Sequence, residues 1–265
     1  MSIIVPVPGN VGDTSLVLPL DVPTADEITV ANALELIAWF TGYPHYRAPD
    51  GGWWDRAGGR KHYAAPNKLS PVGGQAGGRG GAFQFEGNQA IDVQPGNFLP
   101  TGAYTFYLVM RTSAVLANTV QVWGCPNRAA APAGSNGACL TVNNTSGSLI
   151  WIHANPTWAT PANIGVGNLR NYINEKILVR GSISATGTAV LEINGFQDDI
   201  RSAQPANTNT KIYIGDAPGR QLDQPYLGTI FDALFFNGDV PVANPTLAAT
   251  IETMLVARNP GIAMV

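Results

Sequence analysis

The sequence predicts an all-β protein with an extended N-terminal arm and a C-terminal helix. Three observations lead there. Short stretches in which apolar and polar residues alternate recur from Leu34 to Phe236, and stretches bearing Gly, Pro and Asn separate them. The 265 residues include 30 Gly and 20 Pro, which many turns between short strands require. Charged residues are only 12% of the chain against 45% hydrophobic, roughly half the ~25% charged share of an ordinary globular chain. Gly, Ser, Thr, Asn and Gln must therefore cover much of the surface, which also suits a surface shared with neighbours in an assembly.

Residues 1–23 read as extended. Their apolar side chains, among them Ile3, Val5, Leu16 and Leu18, need burial, while Pro6, Pro8, Pro19 and Pro23 remove backbone donors and prevent a regular central ladder. The segment is an edge strand or an arm that docks on a partner; the arm is the reading adopted. Thr24 and Glu27 form a capping-box pattern before a short helix over 25–33. Leu34 to Phe40 (LELIAWF) then reads as a strand. Residues 41–82 are the least regular, with Trp53-Trp54 and a glycine-rich run around Arg79. No Lys-Ser/Thr and no helix pattern follow that run, so it reads as a flexible loop and not a phosphate loop.

Phe83 and Phe85 alternate before a turn at Glu86-Gly87-Asn88, and Ile91 and Val93 resume the pattern. Tyr104, Phe106, Leu108 and Met110 share one face of a core strand. Strands follow over 120–124, 138–142 and 148–153, then a loop over 155–169 that carries Trp158. Ile177, Val179 and Ile183 face inward from the next strand, and 190–193 leads into Asn194-Gly195, a tight-turn signal. Asn244 caps a terminal helix that Pro245 opens, with Leu247, Ile251, Met254 and Leu255 on one face. Arg258 suits the dipole at its C-terminus, and Pro260 stops it.

One stretch, Lys211 to Asn237 (KIYIGDAPGRQLDQPYLGTIFDALFFN), organises the rest. KIYIG is a strand ending at Gly215, and Tyr226 to Phe236 is a long second strand. The two faces of the second strand are Tyr226, Ile230, Leu234, Phe236 and Leu227, Phe231, Ala233, Phe235. Both are mostly apolar, so the strand is covered on both sides. Asp232 lies within it and needs a hydrogen-bond partner once buried.

Ile214-Gly215 and the run from Gly228 to Phe236 (GTIFDALFF) resemble the closing strands of the laminin-G-like, concanavalin-A-like lectin-glucanase β-sandwich family. Other segments agree in order. WWDRAG (Trp53 to Gly58) resembles the W-x-D-x-S-G segment of phage and bacterial members, with Ala57 in place of Ser, and AFQFEGNQAI and VLEINGFQ resemble two of the family's hairpins. The resemblance spans residues 34–238. It implies a two-sheet antiparallel sandwich with jelly-roll-like connections. The expected organisation is an arm and short helix over 1–33, the sandwich over 34–243, and a helix and tail over 244–265.

The chemistry expected of an enzyme is missing from the sequence. Glucanases with this sandwich need paired carboxylates on one strand, and no Glu here lies two residues from another acidic residue. The nearest string to a G-x-S-x-G elbow, Ala133 to Gly137, starts with the wrong residue, and His45, His62 and His153 are scattered. Asp198, Asp199, Asp216 and Asp223 read as turn formers and not as a calcium cluster. Cys125 and Cys139 bracket a hairpin; a bridge there would contribute roughly 3 kcal/mol, and two separate small apolar residues fit the spacing as well. Neither metal nor cofactor is expected. A net charge of −3 argues against a nucleic-acid face. No apolar run approaches the ~20 residues of a membrane span. MSIIVPVPGNVGD lacks a basic n-region and is not read as a secretory signal.

The best local set for stacking a sugar is Trp151, His153 and Trp158. Period two places Trp151 and His153 on one strand face. On the outer face they would offer a platform; on the inner face Trp151 would be core. Trp53 and Trp54 likewise fit packing under a loop or ligand stacking. The resemblance implies a non-enzymatic structural or adhesive component of a bacteriophage virion, such as a capsid decoration, head-fibre or tail-associated protein. Such a component would meet other virion proteins through its arm, assemble as an oligomer and touch host glycans. The rivals are a free lectin module and, third, a glycoside hydrolase with an unfamiliar site.

Overall fold

A computed structural model of the chain describes residues 23–42, 53–57, 62–63, 70–72, 81–86, 90–92, 99–117, 120–124, 137–147, 149–155, 163–164, 172–201, 213–215 and 226–264. Residues 1–22 of the expected arm (1–23), the glycine-rich run up to Gly80, and Cys125 lie outside these residues. In chain order the elements are α1 (Ala25–Ala31), β1 (Leu36–Thr41), β2 (Trp53–Trp54), β3 (His62–Tyr63), β4 (Ser70–Val72), β5 (Ala82–Glu86), β6 (Ala90–Asp92) and β7 (Tyr104–Thr112). Then come β8 (Val120–Gly124), β9 (Gly137–Val142), β10 (Leu149–Asn155), β11 (Asn163–Ile164), β12 (Ile177–Ile183), β13 (Ala189–Ile193) and β14 (Phe196–Arg201). The chain closes with β15 (Tyr213–Gly215), β16 (Leu227–Asn237), α2 (Val240–Ala243) and α3 (Pro245–Arg258).

Eight strands form one sheet in the order β14-β13-β12-β7-β16-β5-β4, with β1 on the C-terminal half of β16 while β5 takes its N-terminal half. A six-stranded sheet runs β11-β10-β9-β8-β15-β6, and β2 and β3 pair separately. The expected two-sheet antiparallel sandwich is therefore the fold. Alternation decides which side chains fill it. Tyr104, Phe106, Leu108 and Met110 of β7 point between the sheets, as do Ile177, Val179 and Ile183 of β12 and Ala138, Leu140 and Val142 of β9. Gly181 of β12 lies opposite Phe106, and a Cβ there would meet the Phe106 ring at 2.1 Å. Its missing side chain is the space that the ring occupies.

The outer face of the larger sheet is covered as well. Trp39, Tyr107, Val109, Leu178, Phe231, Leu234 and Phe236 pack there with Val30 of α1 and with Leu247, Ile251, Met254 and Leu255 of α3. The helices form a third layer, so the central strands are buried on both sides and read as continuous apolar runs. Helices α1 and α3 begin where the sequence places them. Thr24 and Glu27 complete the capping box on α1, and the Asn244 side chain accepts the Leu247 N–H at 3.2 Å on α3.

The long strand β16 departs from simple period two. Ile230, Ala233 and Phe235 face the sandwich interior, while Phe231, Leu234 and Phe236 face the helices. Strict alternation puts Ile230 with Leu234 and Phe236, and Phe231 with Ala233 and Phe235. A bulge between Ile230 and Asp232 reverses the phase, because one extra residue in a strand flips every side chain beyond it. At the β13–β14 hairpin, Asn194 and Gly195 take φ of 54° and 84°. Two positive φ values are what a type I′ turn demands.

Candidate functional site

Trp151 takes the inner-face alternative. It is 0% exposed and meets Tyr104 and Phe106 edge-on at 6.0 and 5.2 Å. Trp123 and Phe235 extend the same aromatic centre, at 5.0 Å from Phe106 to Trp123 and 5.9 Å from Trp123 to Phe235. The reading of Trp151 as a sugar platform is therefore corrected. Its partner across the ladder, Leu140, faces the interior, and Trp151 must follow. A register shift between Ile152 and Asn155 interrupts the ladder beyond it. The side chains of His153, Trp53 and Trp54, and all of Trp158, lie outside the described residues.

The outward face of the smaller sheet collects a different set. Gln121 pairs with Thr141, and Gly124 pairs with Cys139 and Tyr213. Paired residues share a face, so these five point away from the interior. Gly124 matters here: a Cβ on it would lie 2.5 Å from the Cys139 Cβ and 2.8 Å from the Gln121 amide nitrogen. The Gln121 carboxamide thus lies across Gly124. Its Nε2 is buried and has no hydrogen-bond partner among the described residues. Gln121 and Tyr213 are half-buried on this face, while Thr141 and Cys139 are buried.

Among the described residues carboxylates meet in two places, both under the helices. On the first, Arg180 of β12 binds Glu192 of β13 and Glu252 of α3 with the two arms of its guanidinium. Burial pushes the Glu192 carboxyl up, although Arg180 pulls it back. Asp239 nearby is raised, also by burial. A glycosidase pair needs room between its carboxyls for the glycosidic bond. Here a guanidinium fills that room, so the cluster ties α3 to the sheet.

The second is a buried network that sequence reading missed. Asp232, 0% exposed, accepts from Trp39 Nε1 at 2.9 Å and from Asn259 Nδ2 at 2.8 Å. Arg258 forms an ion pair with Asp232 at 3.5 Å, donates to the Thr41 hydroxyl at 3.0 Å and binds Glu27. Glu27 also accepts from Arg56 at 3.2 Å. Both guanidinium groups lie over the Trp39 ring, Arg56 at 4.6 Å and Arg258 at 5.5 Å. Burial raises the Glu27 carboxyl, but Arg258 and Arg56 outweigh it and hold the group below its ordinary value. The need of Asp232 for a partner was legible; the identity of the partners was not, because Glu27 and Arg258 lie 231 residues apart. A charged residue in the middle of an apolar run was the one available signal.

Among the described residues no group of three or more His, Cys, Asp or Glu has the geometry to hold a metal ion. No described helix is long and apolar enough to cross a membrane. Cys139 is buried, and its pairing with Cys125 lies outside the described residues.

No family model matches the chain, and no curated protein matches it in sequence. Solved structures do match in fold. Domain 4 of AbnA, a GH43 extracellular arabinanase from Geobacillus stearothermophilus, in complex with arabinotriose, aligns with a TM-score of 0.60 and 15% identity over 81% of this chain and 98% of that one. The ligand-binding domain of botulinum neurotoxin serotype D, in complex with N-acetylneuraminic acid, aligns at 0.57 and 10% identity over 89% of this chain and 53% of that one. The binding domain of Paraclostridial Mosquitocidal Protein 1 aligns at 0.58 and 13% identity over 83% of this chain and 52% of that one. The chain thus spans nearly all of the arabinanase domain and about half of each toxin domain. At these identities the likeness is one of fold.

Proposed function

We propose that the chain is a non-catalytic binding module whose sandwich recognises saccharides. The observation that carries this reading is the likeness in fold to the arabinanase domain 4 bound to arabinotriose, which extends over almost the whole of that domain. The arrangement of the charged groups supports it: the carboxylates that the fold brings together are engaged by Arg180, Arg56 and Arg258. The outward face of the smaller sheet, with Gln121, Thr141 and Tyr213, supplies the polar part of the site. Trp158, which follows β10 in the sequence, remains the candidate stacking ring. On a glycan array, Gln121→Ala and Trp158→Ala should each weaken saccharide binding, by on the order of 1 kcal/mol or more for the stacking ring. Binding unchanged in both variants would remove this surface from consideration.

At a finer level, we propose that the module is an adhesive component of a bacteriophage particle, attached through the arm over residues 1–23. The low charge and the apolar, proline-bearing start of the chain support this, along with the segment resemblances to phage members of the laminin-G-like family. A fixed copy number in purified particles would be the expected result. Its absence from particles would leave a free lectin-like module.

A further inference from the structure

Helix α1 is held differently from the rest of the protein. It has seven residues, well short of the ~12–15 that an isolated helix needs in water. Only two of its side chains are buried, Glu27 and Val30. Helix α3, by contrast, buries Leu247, Ala248, Ile251, Met254, Leu255 and Arg258. The fully buried part of the docking of α1 is therefore one valine and one carboxylate, with Ala31 and Ala33 packed partly buried beside them. That carboxylate has three tasks at once. It accepts the Thr24 N–H at 2.9 Å, which closes the start of the helix, it accepts from Arg56 at 3.2 Å, and it binds Arg258 of α3. Glu27 thus joins the point where the chain leaves residues 1–22 to α3 and to the segment after β2.

The partners of Glu27 do not depend on α1 in the same degree. Arg258 retains the Thr41 hydroxyl and Asp232, both on the sheet. The Arg56 backbone N–H is bonded to Trp39 O at 2.8 Å, which keeps that segment on β1. Withdrawal of α1 removes one carboxylate from this centre and leaves the sheet, α3 and the Trp39–Asp232 bond in place.

We infer that α1 is a releasable latch, docked mainly by Glu27 and Val30, that opens ahead of the sandwich and uncovers the Trp39 centre on the outer face of the sheet. The inference stands whether or not the sandwich binds a saccharide. Local opening of this kind belongs to the low-stability end of a fold, where few apolar side chains are buried.

Hydrogen exchange of the full chain, followed by mass spectrometry, tests it. In the wild type, amides over 27–33 should exchange faster than those of β7, β16 and α3. Glu27→Gln should speed exchange over 27–33 by roughly tenfold or more, the loss of charge-assisted bonds, with β7 and β16 unchanged. Thr24→Ala, which removes only the cap and leaves the buried charges paired, should speed the same amides severalfold. Equal protection of α1 and β16 in the wild type would overturn the inference. So would a Thr24→Ala variant that leaves 27–33 unchanged, or one whose sheet amides accelerate in step with those of α1.

Discussion

Replacing Asp232 by Asn tests the buried network with the smallest change of shape. The carboxylate is 0% exposed and accepts from Trp39 at 2.9 Å and Asn259 at 2.8 Å, with Arg258 at 3.5 Å. An amide can still accept from Trp39 with one oxygen. Its nitrogen then faces the Asn259 nitrogen, donor against donor. Asn259 cannot turn its amide over without giving up the bond it donates to Leu255 O at 3.0 Å. One charge-assisted bond is lost and Arg258 keeps one carboxylate in place of two. A bond to a charged group contributes ~1.5–3 kcal/mol, and breaking a buried ion pair costs ~3–5 kcal/mol; because Glu27 still neutralises Arg258, the lower part of that range, about 3 kcal/mol, is expected. For a domain of this size that corresponds to a fall in thermal midpoint of roughly 6–12 °C. Differential scanning calorimetry at neutral pH reads it directly. A midpoint within about 2 °C of the wild type, below ~1 kcal/mol by the same conversion, would refute the claim that these bonds hold the helix layer to the sheet.

Other consequences are as direct. Gly181→Ala places a methyl group against the Phe106 ring, which should cost about 1–3 kcal/mol by overpacking and lower the urea midpoint; an unchanged midpoint would mean that the aromatic centre shifts freely. The Glu27 carboxyl is held below its ordinary 4.5 in the folded state, so its contribution is complete above that pH and is lost as pH falls through the lower folded value. The difference in thermal midpoint between wild type and Glu27→Gln should accordingly be constant at neutral pH and shrink at acidic pH; a difference independent of pH would contradict the pairing with Arg56 and Arg258. Deletion of residues 1–23 should leave the midpoint of the sandwich nearly unchanged while abolishing incorporation into particles or oligomers, and failure of the truncated chain to fold would show that the segment is a core strand.

Local signals in this sequence are readable because their causes are local. The Thr24–Glu27 box, the Asn244 cap, the Asn194-Gly195 turn and the inward face of β7 all depend on residues within one turn or one strand, and each lies where its pattern puts it. What could not be read depends on partners remote in the chain. Trp151 faces inward because Leu140 opposite it does, and the pattern of β10 alone permits either face. The bulge after Ile230 leaves no mark in a strand whose two faces are both apolar, so strict alternation misplaces the residues of β16 beyond it. Arg258 fits the end of a helix equally well as a dipole partner or as a buried ligand of Glu27, and only the packing of α1 against α3 decides between them.

The central claim is that the sandwich holds a saccharide without cleaving it. The most direct measurement incubates the full chain with saccharides found to bind on the array and follows bound ligand by calorimetry and new reducing ends in the same sample. The account predicts saturable binding with no reducing ends released. Release of reducing ends that Glu192→Gln or another single carboxylate change abolishes would contradict it, and so would the absence of binding to every saccharide presented.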